Sequence, residues 1–223
     1  MPSVLLPGAG RGLGLEFARQ YAELCWNVIA TVRNAPDGEK LRALGARVEL
    51  LDMRDFAAVA AFGERLGGEP LDLLIANAGM TSPGEMRTRE EAERFLEVLA
   101  VNSVAPTVLA SVLAFNVAAA KGKMIAITSQ MGSIADNGSG GWLAYRASKA
   151  ALNAAWRTLA VEMAAEPVAI AMLHPGWVKT DMGGGGAPLA PAESVTAMRR
   201  VIEGLEPGDK GAFLNHEGKK LPW

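Results

Sequence analysis

Val4-Leu5-Leu6-Pro7-Gly8-Ala9-Gly10-Arg11-Gly12-Leu13-Gly14 is the stretch whose reading decides the fold. A short apolar run ends in a cluster of glycines, and a helical period begins at once, with apolar residues at Leu15, Ala18, Ala22 and Cys25. Glycines permit a tight turn and close approach of the backbone to a ligand. A helix N-terminus adds free N–H groups and a partial positive charge, which suit an anion. The strand, turn and helix together read as a cradle for a pyrophosphate, built from Gly8, Gly10, Arg11, Gly12, Leu13 and Gly14. A purely structural turn is the alternative.

Working outward, short apolar runs alternate with segments of helical period. Val4–Leu6, Val28–Val32, Val48–Leu51, Leu71–Ala76, Met124–Thr128, Val168–Leu173 and Ala212–Asn215 read as strands. Helices fill the gaps at Gly12–Cys25, Asp37–Leu44, Asp55–Leu66, Arg89–Val101, Ser103–Ala120, Trp142–Ala165 and Pro191–Glu203. This alternation predicts an α/β fold: a doubly wound parallel sheet of Rossmann type, with about seven strands and helices on both faces. The length of 223 residues and the absence of a linker or internal repeat predict a single domain over 1–223.

The net charge of -2, with signs interspersed and no basic block, argues against nucleic-acid binding. The apolar start is too short for a membrane span or signal peptide and lacks a basic flank, so a cytoplasmic protein is expected. The lone cysteine, Cys25, cannot form an internal disulfide; its place in a helical stretch predicts a buried structural thiol. Gly183–Gly186 reads either as a flexible loop or as a flap over the site.

The end of the second strand bears on the cofactor. A site for NAD would place an acid there to bind the adenosine ribose. This chain has Ala30-Thr31-Val32-Arg33-Asn34 instead, and Arg33 with Arg11 could clamp a 2′-phosphate, so NADP(H) is favoured over NAD(H). Asp52 and Met53, at the end of the third strand, are candidates for the adenine side, and Asp55 nearby reads as a helix N-cap. Tyr145-Arg146-Ala147-Ser148-Lys149 places a phenol and an ammonium one helical turn apart. A cation so near a phenol favours the phenolate and predicts a lowered pKa useful in acid–base chemistry. An ordinary surface contact is the alternative reading.

Gly8-x3-Gly12-x-Gly14, Asn77-Ala78-Gly79, Asn102, Ser129, Tyr145-x3-Lys149 and Pro175-Gly176 follow one another in an order and spacing that resemble the short-chain dehydrogenase/reductase family. The resemblance covers essentially the whole chain. Ser133–Asn137, Leu143–Lys149 and Pro175–Asp181 look most like the sniffer-type carbonyl reductases and C-factor-like proteins within it. It implies that Tyr145 is the acid that protonates a developing alkoxide, that Lys149 lowers its pKa and holds the nicotinamide ribose, and that Ser129 hydrogen-bonds the substrate carbonyl. It also implies that Asn102 holds a water linking Lys149 to solvent; a helix-kink or capping asparagine is the alternative. Asn77, Ala78 and Gly79 would line the adenosine-ribose side of the cofactor, and Pro175, Gly176, Val178 and Thr180 would surround the nicotinamide. Ser133 is a rival to Ser129, and His174 is assigned a structural role.

Two departures from the family stand out. Pro7 replaces a threonine that braces the glycine turn, so the turn must be held differently, and Gly10 removes a possible phosphate contact. The expected activity is an NADPH-dependent carbonyl reductase acting on a small-molecule carbonyl or alcohol substrate. Trp142, Leu143, Trp177 and Met182 suggest that this substrate is apolar. A dinucleotide-binding signalling or regulatory protein with little turnover is the alternative function. The alanine-rich helices 103–120 and 142–165 leave a homodimer or homotetramer open.

Overall fold

The computed structural model describes residues 1–66, 68–82 and 86–223. Seven strands, β1 (Ser3–Leu6), β2 (Asn27–Val32), β3 (Arg47–Leu50), β4 (Leu73–Ala76), β5 (Lys123–Ile127), β6 (Ala169–His174) and β7 (Ala212–Asn215), form one sheet in the order β3-β2-β1-β4-β5-β6-β7. Every adjacent pair is parallel. The chain winds outward to β3 and then crosses to the far side of β1. The carboxyl ends of β1 and β4 therefore flank the point where strand order reverses, where open parallel sheets bind their ligands.

The helices are α1 (Gly12–Glu23), α2 (Glu39–Ala43), α3 (Phe56–Leu66), α4 (Arg89–Leu99), α5 (Ala105–Ala119), α6 (Leu143–Glu162) and α7 (Pro191–Gly204). Because side chains alternate along a strand, an apolar strand feeds two cores at once. Leu5, Met124 and Ala126 join Phe62, Leu109, Leu113 and Trp156 on one face of the sheet. Val4, Leu6, Ile125 and Ile127 join Phe17, Tyr21, Met198 and Ile202 on the other. Each such large side chain contributes about 1.5–3 kcal/mol when buried.

Between α4 and α5 the helix does not break. A π turn over Ala100–Val104 joins them, and Asn102 lies inside it. The resulting run Arg89–Ala119 is long and apolar enough to cross a membrane, with a mean hydropathy of 1.9 in its most apolar window, yet half of that window is buried against the rest of the protein.

The expectation for Cys25 is corrected: the thiol is exposed. Helix α1 stops at Glu23, and Cys25 adopts a left-handed conformation with φ 59°. Its N–H donates to the Ala22 carbonyl and that of Trp26 to the Tyr21 carbonyl, the two bonds of a Schellman cap. Trp26 then covers Tyr21, with ring centroids 4.9 Å apart. Helix α2 ends with the same pair of bonds, but there the left-handed residue is Gly45. A side chain in this conformation costs roughly 1–2 kcal/mol, and glycine returns about 0.5–1 kcal/mol through the entropy of the unfolded chain. Cys25→Gly is therefore expected to stabilise the protein by about 0.5–1 kcal/mol, seen as a higher urea midpoint. An unchanged or lower midpoint would contradict this account.

Candidate active site

The glycine turn sits at the carboxyl end of β1 and is braced from both neighbouring strands. Gly8 has φ 72°, and a Cβ there would lie 2.8 Å from the Ala78 Cα. A Cβ on Gly14 would lie 2.6 Å from both the Gly8 carbonyl oxygen and the Asn77 Nδ2. Asn77, just past β4, donates from that Nδ2 to the Gly8 carbonyl at 3.0 Å. From β2, the Thr31 hydroxyl accepts the Gly8 N–H at 3.3 Å, and the Thr31 carbonyl accepts the Ala9 N–H at 3.0 Å. Thr31 thus supplies, from the adjacent strand, the brace that Pro7 cannot provide.

The first turn of α1 holds no acid and has no side-chain cap, which leaves its N–H groups for an anion. Gly12 has φ 55° and approaches the Thr180 methyl, while Gly10 abuts Asp37. Arg11 and Arg33 differ in their partners. Arg33 is exposed at the end of β2 and has no ion pair among the described residues. Arg11 instead binds Asp181 at 2.7 Å, linking the glycine turn to the loop after β6. Met53 is buried, and Asp52 is held below the usual carboxylate range chiefly by its hydrogen bond with Arg54. Asp55 accepts the Ala58 N–H and so caps α3 as expected.

Ser129 lies at the carboxyl end of β5, immediately before a one-turn helix over Gln130–Gly132. Its Oγ accepts the Met131 N–H at 3.1 Å, and its hydroxyl faces the Tyr145 phenol. Ser133, the rival, is turned away: its Oγ donates to the Trp223 carbonyl at 3.1 Å and accepts the Asp136 N–H at 3.0 Å.

Tyr145 and Lys149 share one face of α6, and the Lys149 Nζ stands 5.9 Å from the centre of the Tyr145 ring. That Nζ donates to the Ile127 carbonyl on β5 at 2.8 Å, and the side chain is only 4 % exposed. Burial pushes the ammonium pKa down to about 8. Burial also raises Tyr145, with the Ser129 hydroxyl opposing it. The expected lowering of the phenol by Lys149 is therefore corrected. The lysine is aimed at a strand carbonyl and is itself desolvated, so desolvation outweighs its attraction for a phenolate.

Asn102 is fully buried. Its Oδ1 accepts the Met80 N–H at 2.8 Å, and its Nδ2 donates to the Met80 carbonyl at 2.8 Å and to Ser148 Oγ at 2.9 Å. A Cβ on Gly79 would lie 3.5 Å from that Oδ1 and 3.7 Å from Lys149 Nζ, so the Asn77-Ala78-Gly79 turn links the glycine cradle to the lysine.

After β6, Pro175 receives a hydrogen bond from Ser194 of α7 at its carbonyl, and Gly176 has φ 81°. Val178 is buried and bridges Leu189, and Thr180 accepts the Gly183 N–H. Trp177 donates from Nε1 to the Gly183 carbonyl at 2.8 Å. The first two glycines of the 183–186 run are thus tied back to Thr180 and Trp177. His174 is pushed down to about 4 by burial, with His216 adding to the effect, so it is neutral at pH 7.

Sequence reasoning missed Thr31 and Ser148. A polar residue inside the apolar run of β2 was the one available signal for Thr31. Nothing in the spacing marks Ser148.

The model of the family described as short chain dehydrogenase matches residues 2–186, and the chain belongs to that family. It is 38% identical to the C-signal protein of Myxococcus xanthus over 168 residues, covering 73% of this chain and 99% of the relative. Among solved structures it resembles the carbonyl reductase Sniffer of D. melanogaster, at 31% identity and a TM-score of 0.91, with both chains covered fully. It also resembles an NADPH-bound carbonyl reductase from chicken fatty liver, at 34% identity and a TM-score of 0.87, covering 100% of this chain and 99% of that one.

The buried lysine has a measurable signature. Its folded pKa is depressed, so between about pH 8 and its ordinary value of 10.5 the unfolded chain binds more protons and stability rises with pH. Below that window the penalty of burying the charge is present in full. The two tyrosines raised by burial, Tyr21 and Tyr145, act in the opposite sense only near and above their ordinary value of 10.0. Lys149→Met is expected to flatten the rise in urea midpoint between about pH 8 and pH 10. An equal slope in both proteins would contradict the assignment.

Proposed function

We propose that this protein is a cytoplasmic NADP(H)-dependent oxidoreductase that reduces an aldehyde or ketone to an alcohol, the whole chain 1–223 acting as one dinucleotide-binding domain. The observation that carries this reading is the meeting of Ser129, Tyr145 and buried Lys149 on the sheet edge that also holds the braced glycine cradle. The cradle suits the dinucleotide: its glycines leave room that a Cβ would fill, and the uncapped α1 N-terminus suits a pyrophosphate. Gly8, Gly10, Arg11, Gly12, Leu13 and Gly14 would hold the diphosphate. Asp52, Met53, Asn77, Ala78 and Gly79 would hold the adenosine half, and Pro175, Gly176, Val178 and Thr180 the nicotinamide. The free guanidinium of Arg33 supports a 2′-phosphate there.

When bound, the dinucleotide supplies hydride to the carbonyl carbon. Ser129 donates its hydroxyl proton to the carbonyl oxygen, a bond that strengthens as charge develops on that oxygen. Tyr145, kept protonated by burial, gives up its phenolic proton to the same oxygen. Lys149 lies beside it to stabilise the phenolate that results and to bind ribose hydroxyls. The Asn102 side chain is committed to Met80 and Ser148. These bonds fix the π turn beside Lys149, where Asn102 would also hold the water that links Lys149 to solvent.

Tyr145→Phe is expected to cut reduction of an aldehyde and ketone panel by about 100-fold or more while NADPH fluorescence still reports binding. Full activity in that variant would remove the proposed acid. A wild-type protein that binds NADPH and oxidises none against the panel would favour the regulatory alternative instead. Arg33→Ala should narrow the ratio of NADPH to NADH in kcat/KM, and an unchanged ratio would remove the 2′-phosphate contact.

A further inference from the structure

Ser129 and Tyr145 are joined by a segment that has little packing of its own. Residues 134–142 are almost all exposed, with Ile134 at 79%. Behind the segment lies an open cleft of about 330 Å³, floored by Leu143, Ala147 and Ala150 of α6. At 100° per residue these three fall on the face of α6 opposite Tyr145 and Lys149. The segment is therefore held by polar bonds rather than by a core beneath it.

Ala135 and Asp136 tie the first half of the segment to Trp223 and Ser133, and Arg146 makes the side-chain bonds that hold its second half. Arg146 Nε donates to the carbonyls of Gly140 and Gly141 at 3.1 Å each, its Nη2 to Ser139 Oγ at 2.9 Å, and its Nη1 reaches the Met131 carbonyl at 3.5 Å. It makes no ion pair among the described residues. A guanidinium spread over neutral acceptors on both ends of a loop acts as a brace, and its planar fork is suited to that use.

The bonded carbonyls belong to a strained stretch. Gly140, Gly141 and Trp142 have φ 64°, 69° and 52° in succession. A bulky residue in the left-handed region is a true outlier, kept only where its surroundings over-determine it. The strain sets Trp142 at the N-cap of α6, one turn before Tyr145, with its indole 48% exposed. Trp177, in the loop after β6, is 58% exposed, and its ring is fixed by its bond to Gly183. Indoles are rigid, flat and apolar, so a carbonyl compound of like shape gains most from them.

We propose that Arg146 is a positioning residue: by bracing the segment between Ser129 and Tyr145 it holds Trp142 at the mouth of the site, which thereby selects bulky, flat, apolar carbonyl compounds over small aliphatic ones. The inference rests on the carbonyl-reductase reading. The Arg146 side chain bonds loop residues and none of Ser129, Tyr145 and Lys149, so its removal acts on selection through KM and leaves dinucleotide affinity alone.

The test measures kcat and KM for a bicyclic aryl ketone and for propanal, together with NADPH affinity by fluorescence, in wild type, Arg146→Ala and Arg146→Lys. For Arg146→Ala, kcat/KM for the ketone should fall relative to that for propanal by about tenfold, mainly through KM, with NADPH affinity unchanged. Added guanidinium ion should recover part of the loss, and Arg146→Lys should not, because an ammonium cannot span the same acceptors. Equal losses on both substrates, a loss confined to kcat, or full activity in Arg146→Lys would overturn the proposal. Trp142→Gly covers the case in which Arg146→Ala folds poorly. Glycine accepts the left-handed conformation, so this variant should be at least as stable as wild type and lose the preference for the ketone; a retained preference would overturn the proposal. Failure of the wild type to reduce either compound would count against the reductase reading and is told apart from these outcomes by the wild-type rates alone.

Discussion

An ammonium group buried with no carboxylate partner among the described residues is the constraint around which the carboxyl edge of this sheet is organised. Taking a lone cation out of water costs several kcal/mol even after relaxation, more than a hydrogen bond such as that from Lys149 to the Ile127 carbonyl returns. The deficit is met by the helix that carries it. Leu152, Trp156, Leu159 and Ala160 lie buried on the same helix and anchor α6 to the sheet. The gain from those side chains holds the lysine where its own energetics would not.

The neighbours of Lys149 follow from that position. Gly132 has no room for a side chain, since its Cβ would lie 2.9 Å from the Lys149 backbone. That close approach brings the turn after Ser129 against α6. On the other side Asn102 ties Met80 to Ser148 and so joins the turn after β4 to the same helix. The lysine is thereby reached from β4, β5 and the π turn at once. The same edge carries the glycine turn, whose braces are Thr31 on one flank and Asn77 on the other.

The layer pattern was legible because local rules sufficed for it. Runs such as Met124–Ile127 are apolar at every position, which only a strand buried on both faces requires, and Asp55 capped its helix as its residue type predicts. Helix ends were legible to within a few residues. The environment of Cys25 was not, because the Schellman turn that ends α1 here is made without its usual glycine. Tyr145 and Lys149 were legible as a pair, while the sign of the phenol shift was not. That sign depends on where the lysine donates and on how much water is excluded, neither of which spacing contains.

By itself the sequence determined the order of strands and helices, the glycine turn and the residue types available at the strand ends, since these depend on periodicity and on backbone freedom within short windows. The tertiary structure alone decided which of those residues meet. Ser129 rather than Ser133 faces Tyr145 because Ser133 is bound to Trp223, ninety positions away. Arg11 faces Asp181 rather than Arg33 because the loop after β6 folds back over the glycine turn. Contacts of that kind are set by how distant segments pack, and no local pattern encodes them.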